Sequence, residues 1–206
     1  RFSVLNRLDI QPASQANVSL TFGRATQLVV TTQPGALDVN NVRTKTGDAL
    51  AVQPVFELQD AYGNRVLDAG SDYLVDATIA GTLQSPLDPR DRLTGATASA
   101  SAGVVTYSNL ALIGRPLRDY TIKFTWRTNG DIHAEDVSPV AVSHADAHHL
   151  TITREPATVL PGGKTKTGDA LATQPIVEVR DFDDNVVTTN TAYATVPLTA
   201  TITTGG

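Results

Sequence analysis

The octapeptide TKTGDALA occurs twice, at Thr44–Ala51 and at Thr165–Ala172, 121 positions apart. A long repeat at fixed period constrains architecture before any local pattern does, because each copy has to serve the same structural unit. The match extends in both directions. Downstream, QPVFELQDAYGNRV (from Gln53) lies over QPIVEVRDFDDNVV (from Gln174), and upstream QLVVTTQP (Gln27–Pro34) lies over HLTITREP (His149–Pro156) at an offset of 122. The first residues join the pattern too, since RFSVLNRLDI (Arg1–Ile10) overlies KFTWRTNGDI (Lys123–Ile132) without a gap. VSLTFGRATQL (from Val18) likewise overlies VAVSHADAHHL (from Val140). The expected organisation is the C-terminal strands of one repeat at 1–24, a complete repeat of about 122 residues at 25–146, and the N-terminal part of a third at 147–206. On this reading the chain is a window on a longer array.

A unit of that size buries its own core. Cys and Met are absent and Trp occurs once, while Thr and Val are frequent, a mix that favours strands. Apolar residues alternate with polar ones. In Tyr120–Trp126 the residues Tyr120, Ile122, Phe124 and Trp126 share one face, and Thr121, Lys123 and Thr125 the other, as a half-buried strand requires. The same period places Phe56 and Leu58 inward, matched by Val177 and Val179, with Val75, Ala77 and Ile79 on a third strand. Turn signals between such runs set strands near 27–32, 52–59, 73–80, 92–99, 103–109, 119–127 and 137–143. Many short alternating strands predict an all-β sandwich. Phe56, Leu58, Tyr107, Tyr120, Ile122, Phe124 and Trp126 are its expected core.

QPVFELQDAYGNRV, GVVTYSNLALIG and DYTIKFTW together resemble the immunoglobulin-like repeats of large bacterial surface adhesins, the invasin and intimin kind. The resemblance rests on Asp60, Gly63 and Asn64, on Gly103, Val105, Thr106 and Tyr107, and on Tyr120 and Ile122. Tyr120 stands where such sandwiches place a tyrosine corner. The resemblance implies tandem immunoglobulin-like β-sandwich repeats, an extracellular or cell-surface location, and a structural part in a stalk or filament. Neighbouring repeats, or identical chains, are the implied partners, with any host-receptor or glycan ligand elsewhere in the protein. The third unit reads DFDDN for DAYGN, so its turn lacks the glycine.

Net charge is −5 without a basic cluster, which argues against nucleic-acid binding, and no apolar run is long enough to span a membrane. Absence of Cys suits both the cytosol and surface proteins stabilised by sandwich cores. No nucleophile elbow, phosphate-cradling loop or metalloprotease helix motif is present, so no enzymatic activity and no cofactor is expected. Asp181, Asp183, Asp184 and Asn185 form an oxygen-rich cluster suited to Ca²⁺. The equivalent DAYGN has lost most of the carboxylates, so a turn is the preferred reading. His144, Asp146, His148 and His149 have transition-metal ligand chemistry, but FGRATQ at the matching place upstream carries none, which favours a polar joint. Asn17-Val18-Ser19 is a glycosylation sequon of a kind expected by chance in so Ser/Thr-rich a chain.

The unchanged loop remains. Thr44, Lys45, Thr46, Gly47 and Asp48, with Thr165, Lys166, Thr167, Gly168 and Asp169, read first as a turn at Gly47 and Gly168 leading into an edge segment. Their alternative role is contact with something also repeated, either the adjacent unit or a neighbouring chain. A carbohydrate- or receptor-binding module is the main functional alternative, and Tyr62 the exposed aromatic it would use. A eukaryotic flagellar or cell-surface appendage is another. The partial units are expected to leave Phe2, Val4, Leu20 and Phe22, and Val177, Val179, Leu198 and Ile202, on open apolar faces that other polypeptide completes.

Overall fold

A computed structural model describes residues 19–83, 86–127, 132, 134, 137–157, 169–188 and 197–201. It is all-β, with ten strands and no helix among the described residues. Six strands form one sheet in the order β1 (Gln27–Thr32), β2 (Val55–Gln59), β6 (Val104–Thr106), β5 (Thr97–Ser101), β3 (Leu74–Thr82), β8 (Tyr120–Trp126). Its pairings are antiparallel, with Leu28 opposite Leu58 and Ala77 opposite Phe124.

This sheet cannot be flat. Neighbouring strands lie about 4.8 Å apart, so β2 and β8, four places apart, would stand roughly 19 Å from each other. Yet the rings of Phe56 on β2 and Phe124 on β8 have centroids 4.6 Å apart. The sheet therefore curls until its apolar faces meet. Tyr107 closes the cluster edge-on to both rings, at 6.2 Å from Phe56 and 5.4 Å from Phe124, and its hydroxyl donates to Val75 O at 2.7 Å. Ala134 completes the curl. Its N–H donates to Phe124 O at 2.9 Å while the residue bridges in parallel to Leu28 of β1. Pairing both outer strands through Ala134 limits the exposed edge on which other chains would stack.

A second set of pairings covers the rest of the core. β4 (Arg92–Thr94) pairs with β7 (Ala111–Ile113). The first TKTGDALA segment lies between β7, through Ala49 and Ala111, and the segment at 140–143, through Lys45 and Ser143. Val140 in turn exchanges both backbone bonds with Tyr120. β9 (His149–Arg154) and β10 (Ile176–Arg180) form a separate antiparallel pair.

All seven expected core residues are buried. The strand boundaries differ in informative places. The run expected at 92–99 is two strands, broken at Gly95, whose φ of 62° turns the chain. A Cβ at Gly95 would lie 2.2 Å from Asn109 O, so no other residue fits there unshifted. β7 lies beyond the strand expected at 103–109 and shows no alternation: Ala111 and Leu112 are both buried. The run at 137–143 is no continuous strand, and Val140, Ala141 and Val142 are all buried. Leu20 is 89% exposed, and Phe22 packs partly against the core. Phe2, Val4, Asn17, Val18 and Ile202 lie outside the described residues.

Replacing Phe124 with Ala removes the ring that Phe56 and Tyr107 both touch. Urea unfolding of the variant should show a loss of about 3–5 kcal/mol. A loss under about 1 kcal/mol would mean that the curl does not depend on this contact.

Candidate functional site

Four polar residues are buried among those described: Thr46, Asp60, His144 and Asp181. Burying a polar group is costly unless it is hydrogen-bonded, so their partners identify the places the fold has built with most care. All four lie in the repeated loop or at the joints before β1 and β9.

Asp60 follows β2. Its Oδ1 accepts from the backbone N–H groups of Tyr62 (2.9 Å) and Asn64 (3.0 Å), which closes the turn. Its Oδ2 accepts from Gly23 N at 2.7 Å, 37 residues back in the segment that leads into β1. Next to this bond Thr26 N donates to Gln59 O at 2.8 Å. The backbone donors hold the Asp60 carboxyl down at about 2, the Gly23 bond contributing most.

The same arrangement recurs after β10. Asp181 Oδ1 accepts from Asn185 N (2.8 Å) and Oδ2 from Ala145 N (3.0 Å), while His148 N donates to Arg180 O at 2.7 Å. Gly23 and Ala145 are 122 positions apart, and Asp60 and Asp181 are 121 apart. The loss of glycine from the second turn is absorbed without a change of shape. Gly63 has φ 81° and Asp184, in its place, φ 67°, a conformation that Asp tolerates better than most residues.

The second joint carries further bonds. Arg90, in the loop before β4, donates through Nη1 to Asp183 O at 3.0 Å, and its own position is held by Asp88 at 3.1 Å. Arg90 and Arg115 on Asp88 keep that carboxyl well below the usual carboxylate range. Asp184 pairs with Arg180 at 3.1 Å and with His149 at 3.4 Å. The Arg180 guanidinium, foremost among its neighbours, also lowers the Asp184 carboxyl. Arg90, Arg115, Pro116, Leu117, Arg180 and Asp184 help line an open cleft of about 480 Å³. The Asp181 carboxylate is thus engaged with amides and that of Asp184 with guanidinium groups, while Asp183 meets Arg90 through its backbone carbonyl. No group of three His, Cys, Asp or Glu placed to hold a metal ion occurs among the described residues.

The first TKTGDALA copy is tied on both sides. Thr46 N donates to Ser143 O at 2.7 Å, and Thr46 Oγ1 accepts from Gly114 N at 2.9 Å. Asp48 N returns to Lys45 O at 3.1 Å around Gly47, whose φ is 88°. That tight turn needs glycine at its third position. Lys45 reaches into the joint and meets Asp146 at 2.8 Å. Asp169 is exposed, and Thr165, Lys166, Thr167 and Gly168 lie outside the described residues.

Two residue groups went unread in the sequence. Arg90 and Asp88 carry no motif, and their role appears only once the β3–β4 loop reaches the joint. Gly23 and Ala145 act through backbone N–H groups, which composition cannot reveal. Tyr62 and Phe182, on the two Asp turns, are 89% and 74% exposed. No helix of the described residues is long and apolar enough to cross a membrane. No known protein family, curated protein or solved structure matches the chain.

The carboxylate of Asp60 is ionised more readily when folded, so its stabilisation is complete above the ordinary carboxylate pKa of about 3.9. It fades as pH falls toward the folded value of about 2. Urea midpoints taken between pH 2 and 7 should fall more steeply on the acid side for the parent than for Asp60→Asn. Parallel acid limbs would show that the carboxylate does not hold the joint.

Proposed function

We propose that this chain is a segment of tandem immunoglobulin-like β-sandwich repeats in a long extracellular protein, forming a semi-rigid stalk or filament of the surface-adhesin kind. The recurrence of one bond set at both joints carries the reading. At each, a buried carboxylate takes the backbone N–H of the residue entering the next strand pair, and a second backbone bond follows within a few residues. A flexible linker would have Gly- and Ser-rich sequence and no such bonds. Fixed joints between like units make a rod whose reach grows with copy number.

Two further features support it. The Tyr120 hydroxyl accepts from Arg115 N at 2.7 Å, five residues upstream, and donates to Asp91 at 2.9 Å. A tyrosine hydroxyl tied back to upstream backbone at a strand start is the corner device of immunoglobulin-type sandwiches. Gly114 makes room for it, since a Cβ there would lie 2.6 Å from the Tyr120 ring. Second, β9 and β10 carry the pattern of β1 and β2, but their apolar side chains are more exposed. Leu28, Phe56 and Leu58 are at most 4% exposed, whereas Leu150 and Ile152 are 53% and 51% exposed. Val177 and Val179 pair with them across the ladder. In an array this face is completed by further repeat sequence, in the way that Phe124 covers β2. The repeats act by spacing and load-bearing, with no catalytic step.

Immunogold electron microscopy of intact source cells, with antibody raised against residues 25–146, tests this. Labels should line up along surface fibres, at multiples of the roughly 35–40 Å that such a unit spans. Label confined to the cell interior would overturn it.

A further inference from the structure

The joint before β9 carries imidazoles where the joint before β1 has none. His148 precedes β9 and is fixed by its backbone bond to Arg180 O at 2.7 Å. His149 opens β9, paired with Arg180 across the ladder. Adjacent strand residues ordinarily face opposite ways. Here the chain is still turning out of the joint, and the two Nδ1 atoms stand 3.3 Å apart. Both rings are positioned from outside. Phe182 meets His148 edge-on with centroids 5.2 Å apart, and Asp184 Oδ1 lies 3.4 Å from His149 Nε2.

A separation of 3.3 Å suits a hydrogen bond between the rings, and it also suits a shared metal ion. Imidazole nitrogen binds Zn²⁺ at about 2.0–2.1 Å, so two nitrogens on one tetrahedral ion stand about 3.3–3.4 Å apart. We propose that His148 and His149 form a two-imidazole site, through their Nδ1 atoms, for a divalent transition-metal ion of the Zn²⁺, Ni²⁺ or Cu²⁺ type. Each ring then keeps its remaining proton on Nε2, and for His149 that proton faces Asp184. A carboxylate on the far nitrogen is the usual orienting partner of a ligating histidine.

The other two ligand types in this stretch are committed elsewhere. His144 is buried with Nδ1 on Ala145 O at 2.9 Å, and Asp146 pairs with Lys45. No third side chain joins the pair among the described residues, so water fills the remaining positions and the ion exchanges readily. Imidazole selects these ions over Ca²⁺ and Mg²⁺, which prefer oxygen. The site also ties the joint to the strand and turn that hold it: His148 and His149 stand at the joint, and Asp184 lies on the turn that takes Ala145 N.

Isothermal titration of the untagged 206-residue chain with ZnCl₂ or NiCl₂, and with CaCl₂ for comparison, tests the site. The expected result is one saturable site for Zn²⁺ or Ni²⁺ and none for Ca²⁺. Binding should vanish in His148→Ala and in His149→Ala, persist in His144→Ala, and weaken about 10-fold or more in Asp184→Asn. With Cu²⁺ as probe, electron paramagnetic resonance should show coupling to two nitrogens in the parent chain and fewer in either alanine variant. Equal affinity in the parent and both alanine variants, or no saturation by millimolar Zn²⁺, would overturn the assignment. The histidines are not needed for the carboxylate contacts at the joint, so a negative result here leaves the rod reading standing.

Discussion

A single carboxylate oxygen connects the turn after β2 to the segment that enters β1. Asp60 uses Oδ1 to shape its own turn and Oδ2 to hold Gly23 N, and Asp181 repeats the division of labour with Asn185 and Ala145. A buried ionised carboxylate with fewer partners would lose part of its charge or open the structure. Turn and joint therefore stabilise each other. Removing the joint contact leaves Oδ2 with only the side-chain amide of its own turn, Asn64 Nδ2 at 3.2 Å on Asp60 or Asn185 Nδ2 at 3.1 Å on Asp181, and distorting the turn moves the acceptor away from the joint. Local order is converted in this way into a fixed relation between successive strand pairs.

The curled sheet supplies the platform. Phe56, Tyr107 and Phe124 meet in its interior, and Tyr73 stacks on Trp126 at 5.0 Å near its end. The TKTGDALA segment lies along the opposite side, bonded to β7 and to Ser143. Its persistence in two copies has a physical reason. Thr46 is buried and bonded through both its backbone and its hydroxyl, Gly47 occupies a positive-φ backbone conformation that strains most other residues, and Lys45 reaches Asp146. A core position accepts another apolar side chain of similar volume. A residue held by its backbone geometry has fewer substitutes.

The all-β character and the core were legible because period two exposes them directly: every inward residue named on 120–126 is buried. Where alternation fails, reading failed too. β7 is covered on both faces, so Ala111 and Leu112 are both inside, and a strand buried on two sides cannot be told from any short apolar run. The break at Gly95 was invisible, since it depends on the distant Asn109 carbonyl. For the joint, the Asp turn was seen as a turn, but its second function rests on backbone donors 37 and 36 residues away. Conversely, the histidines looked like incidental polar residues, and only the 3.3 Å between two ring nitrogens separates His148 and His149 from His144.

The central claim is that the Asp181 carboxylate fixes how the β9–β10 pair sits on the preceding unit. The chain has no cysteine, so spin labels attach only where cysteines are introduced. Double electron–electron resonance between labels at Val39, which is 98% exposed, and Thr153 on β9 reads that relation directly. A narrow single distance peak in the parent, broadened when Asp181 is changed to Ala, is the predicted result. A broad distribution in the parent that Asp181→Ala leaves unchanged would contradict it.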